Sequence, residues 1–295
     1  MACKKGCCGG AGRKGSASGK GSAGGKGSAG GKGNYLALEA CRVVSFTRES
    51  PDNFTLKLSK RLECEPGQFV QVSLPGVGEC PISVCSASGE PLELNVRQVG
   101  VVTNALAQLK RGDAVFVRGP YGKGYPMALL KGNSLVLVGG GCGVAPLKGV
   151  VEYVARHRED FREVYLFLGF RSPSDVLFQR HLAGWKARYR LSVSVDENPA
   201  NTCFDGKVGF VTKLLEEARF DNSNKVVFMC GPPRMMDACA AVLRGKGFHD
   251  DQIFVSAERL MYCGVGKCCH CMIRGKFTCV DGPVFRLDEL GGFKE

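Results

Sequence analysis

The sequence predicts two folded domains in series, a small antiparallel β-barrel followed by an α/β domain on a parallel sheet. Three observations predict it. Between residues 35 and 130, short β-rich runs recur between turn residues at the spacing of a small barrel. From 131 to 256, apolar runs alternate with helix-period segments, the pattern of βαβ units. Residues 257–295 then form a small C-terminal segment with five of the chain's sixteen cysteines. A length of 295 residues accommodates two domains of ~150 residues with an appendage.

The appendage is residues 1–34. The hexad Gly-Lys-Gly-Ser-Ala-Gly occurs at 19–24 and again at 25–30, thirteen glycines fall in 1–33, and no Leu, Ile, Val or Phe precedes Leu36. Such a segment cannot bury enough apolar surface to offset the entropy of ordering it, so it reads as a disordered basic tail. Its seven basic residues, with no acidic one, leave only +5 of the formal net charge of +12 to the rest of the chain. That excess gives no case for a nucleic-acid-binding body. No stretch approaches the ~18 apolar residues of a membrane span, and no apolar secretory core opens the chain. A cytoplasmic protein is expected. There, clustered cysteines hold metal and scattered ones act as small hydrophobes, rather than forming a disulfide framework.

The barrel strands are expected at 36–45, 53–58, 68–74, 82–85, 92–96 and 114–118, with one helical stretch at 103–110. Turns such as Pro51-Asp52-Asn53, Pro75-Gly76 and Arg111-Gly112-Asp113 separate them. The α/β series reads strand 134–139, helix 146–156, strand 164–169, helix 174–185, strand 191–195, helix 209–218, strand 226–230, helix 235–246 and strand 253–256.

Two loops in this series carry a nucleotide-site signal. The first strand runs into Gly139-Gly140-Gly141-Cys142-Gly143-Val144-Ala145-Pro146, where a helix opens. Glycines let backbone approach a pyrophosphate, and a helix N-terminus offers free N–H groups and a favourable dipole. Pro146 costs nothing in a first turn, where its missing N–H has no partner to lose. The second loop is Cys230-Gly231-Pro232-Pro233-Arg234-Met235-Met236, again between a strand and a helix. Ligands bind at the carboxyl ends of parallel strands, so the two loops are expected to face one crevice. The third signal is Cys263, Cys268, Cys271 and Cys279, spaced C-x4-C-x2-C-x7-C. That is a plant-type [2Fe–2S] spacing, with Gly264 and Gly266 letting the loop wrap the cluster and present N–H donors to sulfur. Cys269 and His270 fall outside the spacing, and a zinc site favours two short pairs set further apart.

A barrel followed by Gly-Gly-Gly-x-Gly-x-Ala-Pro and Cys-Gly-Pro-Pro-x-Met-Met resembles the ferredoxin–NADP reductase superfamily. Glu79-Cys80-Pro81-Ile82-Ser83 departs from that family's Arg-x-Tyr/Phe-Ser flavin motif. It is similar instead to the Glu-Ala-Pro-Ile-Ser of the gamma subunits of hydrogenases and anaerobic sulfite reductases. Ser256-Ala-Glu-Arg-Leu-Met261 and Val280-Asp-Gly-Pro-Val-Phe285 also resemble those subunits, and the electron-transfer subunit of dihydroorotate dehydrogenase. The short insert 272–278 favours the hydrogenase and sulfite reductase type. The resemblance spans about residues 36 to 290. It implies an FAD-binding barrel at 35–130, an NAD(P)-binding domain at 131–256 and a [2Fe–2S]-binding segment at 257–295.

By the same resemblance, Pro81, Ile82 and Ser83 lie along the flavin, and Gly100, Val101, Val102 and Thr103 cradle its pyrophosphate. Gly140, Gly141, Gly143, Ala145, Pro146, Gly231, Pro232 and Met235 meet the nicotinamide dinucleotide, and Cys230 sits beside the nicotinamide as a positioning group. The implied activity is electron transfer between NAD(P)H, FAD and the cluster, to or from a catalytic subunit of hydrogenase or sulfite reductase type. A dihydroorotate dehydrogenase subunit is the alternative within the same scaffold. A zinc-stabilised, basic-tailed binding protein is the alternative outside it. Arg171, after the second strand of the α/β domain, suits the 2′-phosphate of NADPH, and NADH stays open.

Overall fold

A computed structural model describes residues 36–291, so the expected tail at 1–34 lies outside the described residues. The barrel comprises β1 (Glu39–Ser50), β2 (Asn53–Arg61), β3 (Phe69–Leu74), β4 (Gly78–Ser83), β5 (Pro91–Arg97), the short helix α1 (Val101–Leu106) and β6 (Ala114–Tyr121). The strands run in the order β4-β3-β6-β1-β2-β5, every neighbour antiparallel. A bridge from Val84 to Leu94 then closes the sheet on itself. Side chains alternate between the faces of a strand. Leu56 and Leu58, Val70 and Val72, Leu92, Leu94 and Val96, and Val115 and Val117 accordingly fill the barrel. Each such side chain, fully buried, contributes ~1.5–3 kcal/mol.

Several barrel elements differ from the sequence reading. The helix expected at 103–110 is Val101–Leu106, and β2 and β6 each run three residues further than expected. Among the strands, β1 and β4 differ most. Strand β1 runs five residues past the expected end, through the polar stretch Phe46–Ser50. Its first part pairs with β6 and its second with β2, with register shifts between Val43 and Ser45 and between Arg48 and Ser50. Strand β4 begins at Gly78, because Pro75-Gly76 makes a tight turn in which Val77 N–H donates to Leu74 O at 3.0 Å. Backbone pairing, which polar side chains do not oppose, extends both strands.

The α/β part contains β7 (Ser134–Gly140), α2 (Val144–Arg156), β8 (Val164–Phe170), α3 (Gln179–Arg188), β9 (Arg190–Val195), β10 (Lys207–Val208), α4 (Val211–Glu217), β11 (Lys225–Cys230), α5 (Pro233–Gly245) and β12 (Ile253–Ser256). The last residues add the hairpin β13 (Met272–Ile273) and β14 (Lys276–Phe277), then β15 (Val284–Arg286) and α6 (Leu287–Leu290). The large sheet has the order β10-β9-β8-β7-β11-β12-β15, parallel except where β15 lies antiparallel to β12. Every residue of β7 and β8 is buried, as expected for strands covered on both faces. Helix α2 starts two residues before Pro146, which sits in the first turn. Helix α3 starts at Gln179, after Phe178 takes a left-handed conformation, and so misses the expected 174–178. Among the described residues, no helix is long and apolar enough to cross a membrane.

Helix α2 is held to the barrel by a buried cation. The Lys148 side chain is only 3% exposed; its ammonium meets Glu93 of β5 and Glu152, each at 3.1 Å. It also donates to the Cys85 carbonyl at 3.2 Å. Burial raises the Glu93 carboxyl, but the charges and hydrogen bonds of Lys148 and Lys57 together outweigh it and hold the group below its ordinary value. Stability from a depressed carboxyl is present above the usual carboxylate range and is lost as pH falls through the folded value. Lys148→Ala is therefore expected to cost ~3–5 kcal/mol in urea unfolding at pH 7. The gap to the native chain should narrow as the pH falls below about 4; a gap independent of pH contradicts the account.

Candidate cofactor crevice and cysteine loop

Strands β7 and β11 lie side by side, with Gly139 in register with Cys230. The chain leaves β7 for β8 on its other edge, so the order reverses here and the strand ends open a crevice. The two loops at this point pack on each other. A Cβ on Gly143 would overlap the Cys230 carbonyl, and one on Gly140 would overlap the Met235 sulfur. Gly231 approaches Met235 similarly, a Cβ there falling 2.6 Å from its terminal methyl. Gly140, Gly143, Gly231 and Met235 are thus brought together; Gly143 and Gly231 are required by the fold before any ligand arrives, whereas a Cβ on Gly140 would press mainly on the flexible Met235 side chain. Gly141 differs: its φ is +53°, and a Cβ there would meet open space. Ala145 and Pro146 are buried in the first turn of α2, whereas Pro232 is exposed.

Cys230 is buried at the strand end. Burial, then the nearby Glu258 carboxylate, push its thiol far above the ordinary range, so it is a neutral thiol that packs and positions. Sequence reasoning missed its neighbours. Asn53 of the barrel donates from Nδ2 to Cys142 Sγ in the glycine loop at 3.2 Å, tying barrel to crevice. Glu258 is exposed by surface area, yet the protein packed around its carboxyl raises it, with Arg97 opposing. Arg171 is exposed at the end of β8 and lies 3.8 Å from the Glu197 carboxylate, which follows β9. Neither residue directly after β8, Arg171 or Ser172, is acidic; Glu197, just past the next strand, supplies the carboxylate near Arg171.

On the barrel, alternation divides the three expected flavin residues. Pro81 pairs across from Gln71, and Gln71 from Arg118, so these side chains share one face. Ser83 shares that face, while Ile82 turns toward the barrel core. At Gly100, the N-cap of α1, Thr103 Oγ1 accepts from Val99 N–H and Gly100 N–H, each at 3.0 Å, and donates to Gly100 O at 3.1 Å. Thr103 thus shapes the turn and leaves the amides of Val101 and Val102 at the helix start. Val101 is exposed, and Val102 packs near Gly78 of β4.

The cysteine loop covers that same barrel face. Cys263 and Cys268 are hydrogen-bonded neighbours, as are Cys271 and Cys279. The thiols thus stand as two pairs, which fits two thiolates on each iron of a [2Fe–2S] cluster. A single zinc ion needs four donors converging on one point, and among the described residues no such group of His, Cys, Asp or Glu converges. Backbone N–H groups point at sulfur: Val265 and Lys267 donate to Cys263 Sγ at 3.4 and 3.3 Å, and Gly266 to Cys279 Sγ at 3.2 Å. Gly264 and Gly266 both take positive φ, which this tight wrap requires. The amide of His270, then that of Cys263, bring the Cys268 thiol down to about 7. Burial works upward at Cys263, but the amides of Val265, Cys268 and Lys267 outweigh it and lower its thiol. Cys279 is pushed up to about 12, mainly by burial. The exposed Cys269 turns its thiol toward the Lys267 carbonyl, and His270 stacks edge-on against Tyr262.

The loop is clamped to the barrel. Gln71 Nε2 donates to Met261 O at 2.9 Å and Tyr262 O at 3.3 Å. Arg118 donates to Tyr262 O at 2.9 Å, Cys263 O at 2.7 Å and Tyr121 Oη at 2.9 Å. Arg118 is in turn paired with Glu79 of β4, Nε to Oε2 at 2.8 Å. Phe69 and Tyr121 pack with Cys271 and Cys279 beneath the loop.

A barrel joined to a parallel-sheet domain by a crevice of this kind, with a four-thiol loop on the barrel wall, defines a flavin- and pyridine-nucleotide-dependent oxidoreductase with an iron–sulfur extension. Comparison with known proteins agrees. Residues 40–125 match the oxidoreductase FAD-binding domain, 137–241 the oxidoreductase NAD-binding domain, and 258–291 the iron–sulfur cluster binding domain of dihydroorotate dehydrogenase B. The chain is 38% identical to sulfhydrogenase 2 subunit gamma of Pyrococcus furiosus, over 80% of its own length and 85% of the relative's. It is 35% identical to the probable dihydroorotate dehydrogenase B electron transfer subunit of Thermococcus kodakarensis, over 80% of this chain and 91% of that one. A solved structure described as an NADH-dependent reduced ferredoxin-NADP oxidoreductase, studied for flavin-based electron bifurcation, superposes with a TM-score of 0.68 at 28% identity, covering 85% of this chain and 91% of that chain. The chain belongs to the family of sulfhydrogenase gamma and dihydroorotate dehydrogenase B electron-transfer subunits. It is an electron-transfer oxidoreductase subunit with FAD, NAD(P) and iron–sulfur cofactors. These findings set aside the zinc-stabilised binding protein.

The glycine geometry separates two variants. Gly143→Ala drives a methyl into the fixed Cys230 backbone and is expected to lower stability by ~1–3 kcal/mol. Gly141→Ala meets no atom and carries only the left-handed backbone cost of ~1 kcal/mol, so its main effect should be weaker nucleotide binding. Thermal unfolding and nucleotide titration of both variants check this; equal loss of stability contradicts it.

Proposed function

We propose that the chain is the cytoplasmic electron-input subunit of a complex whose catalytic subunit is of hydrogenase or sulfite reductase type. The observation that carries the reading is the two-pair thiol loop clamped on the barrel face that also holds Pro81 and Ser83. When bound, FAD would supply the junction between a two-electron hydride donor and the one-electron chemistry of the cluster. The division is 35–130 for FAD, 131–256 for the nucleotide and 257–295 for the cluster.

The protein's part is placement. Pro81 and Ser83, with the Ile82 backbone, line the flavin, and the amides at Gly100–Thr103 face its pyrophosphate. Gly140, Gly141 and Gly143, the start of α2 at Ala145 and Pro146, and Gly231, Pro232 and Met235 hold the nicotinamide dinucleotide. Cys230 offers the nicotinamide a neutral thiol surface. Cys263 and Cys268 hold one iron, and Cys271 and Cys279 the other. Two sulfhydrogenase gamma subunits of Pyrococcus furiosus, at 38% and 36% identity, together with the short insert 272–278, favour the hydrogenase type over dihydroorotate dehydrogenase.

Metal and flavin analysis of the anaerobically purified chain tests the reading. About two irons per chain are expected, with FAD released on denaturation and iron lost when Cys263 or Cys279 is changed to Ser. Zinc without iron or flavin overturns it. Arg171 is placed at the 2′-phosphate of NADPH. Arg171→Ala should raise KM for NADPH about tenfold or more, as expected for a lost charged hydrogen bond, and leave NADH unchanged. Equal effects on both nucleotides exclude that placement.

A further inference from the structure

We propose that the Arg118–Glu79 pair sets the reduction potential of the iron–sulfur centre, with Arg118 as a positioning residue for the cysteine loop. The proposal rests on the assignment of Cys263 as a cluster ligand. Three consecutive carbonyls, at Met261, Tyr262 and Cys263, are turned to the barrel by Gln71 and Arg118. With those carbonyls directed away from the thiols, the following amides of Val265, Gly266 and Lys267 face sulfur.

Gln71 shows that a neutral amide suffices for the hydrogen bonding. Arg118 adds a fixed positive charge one peptide unit from a ligand sulfur, since it donates to the carbonyl of Cys263 itself. Its side chain is only 9% exposed, so water screens that charge weakly. Reduction adds one negative charge to the cluster, and a nearby cation stabilises the reduced form. Glu79 bonds to Arg118 and to none of the three loop carbonyls, so it offsets the cation without holding the loop. Glu79 also begins the stretch that leads to Pro81 and Ser83. One ion pair therefore joins the strand along the flavin to the loop around the cluster.

Loss of either charge then moves the potential in opposite directions, an outcome that structural damage would not give. The experiment is an anaerobic redox titration of the full chain, monitored by the electron spin signal of the reduced cluster, with iron content measured for each sample. Glu79→Gln should shift the midpoint to a more positive potential, Arg118→Gln to a more negative one, and Arg118→Lys should stay near the native value. Shifts of the same sign, or none, in variants with native iron content overturn the proposal. If Arg118→Gln fails to hold iron, Glu79→Gln alone decides: a positive shift supports the proposal and any other result overturns it. A native chain without a cluster overturns the ligand assignment, and the proposal with it.

Discussion

Three peptide carbonyls arrive at the barrel wall in need of donors, and the way they are met determines how the three parts of this molecule work together. Gln71 is fully buried on β3, a position that simple stability would give to an apolar side chain. Its Oε1 has no partner among the described residues, a cost of ~1–3 kcal/mol. The return is a fixed loop. With residues 261–263 held by Gln71 and Arg118, the amides of Val265, Gly266 and Lys267 donate to the thiols. The same barrel face carries Pro81 and Ser83, so strand register sets these two residues beside the cysteine loop. Pairing of Gln71 with both Pro81 and Arg118 makes this a property of the sheet rather than of flexible side chains.

The crevice follows a comparable economy. Its glycines are needed because two loops at adjacent strand ends occupy each other's space, as Gly143 against Cys230 shows. Gly141 alone faces outward with room to spare. Barrel and crevice are registered by Lys148, buried between Glu93 and Glu152, and by the Asn53 to Cys142 contact. The C-terminal segment is likewise not an appendage. Strand β15 joins the large sheet beside β12, so the cysteine loop is anchored at one end by the sheet and at the other by the barrel clamp.

Much of this was legible in the sequence. Strand alternation with turn residues gives the barrel, apolar runs alternating with helical periods give the parallel sheet, and the cysteine spacing marks out the segment that matches an iron–sulfur cluster binding domain. What was not legible depends on pairing between distant segments. The polar end of β1 has no apolar pattern, because its partner strand and not its own side chains makes it a strand. Glu197 reaches Arg171 only because β8 and β9 lie side by side. Arg118 and Glu79 are separated by 39 residues and look like ordinary surface charges until β3 brings β4 and β6 together. The extra strand β15 is three residues long, too short for any periodicity.

The central claim is that these thiols form the exit for electrons that enter through the nucleotide crevice. The most direct measurement follows the anaerobic chain after addition of NADH or NADPH, recording flavin bleaching and the electron spin signal together. The account predicts both in the native chain, and bleaching without the spin signal when Cys263 is replaced by Ser. Bleaching with no spin signal in a native chain that contains its full complement of iron would contradict it.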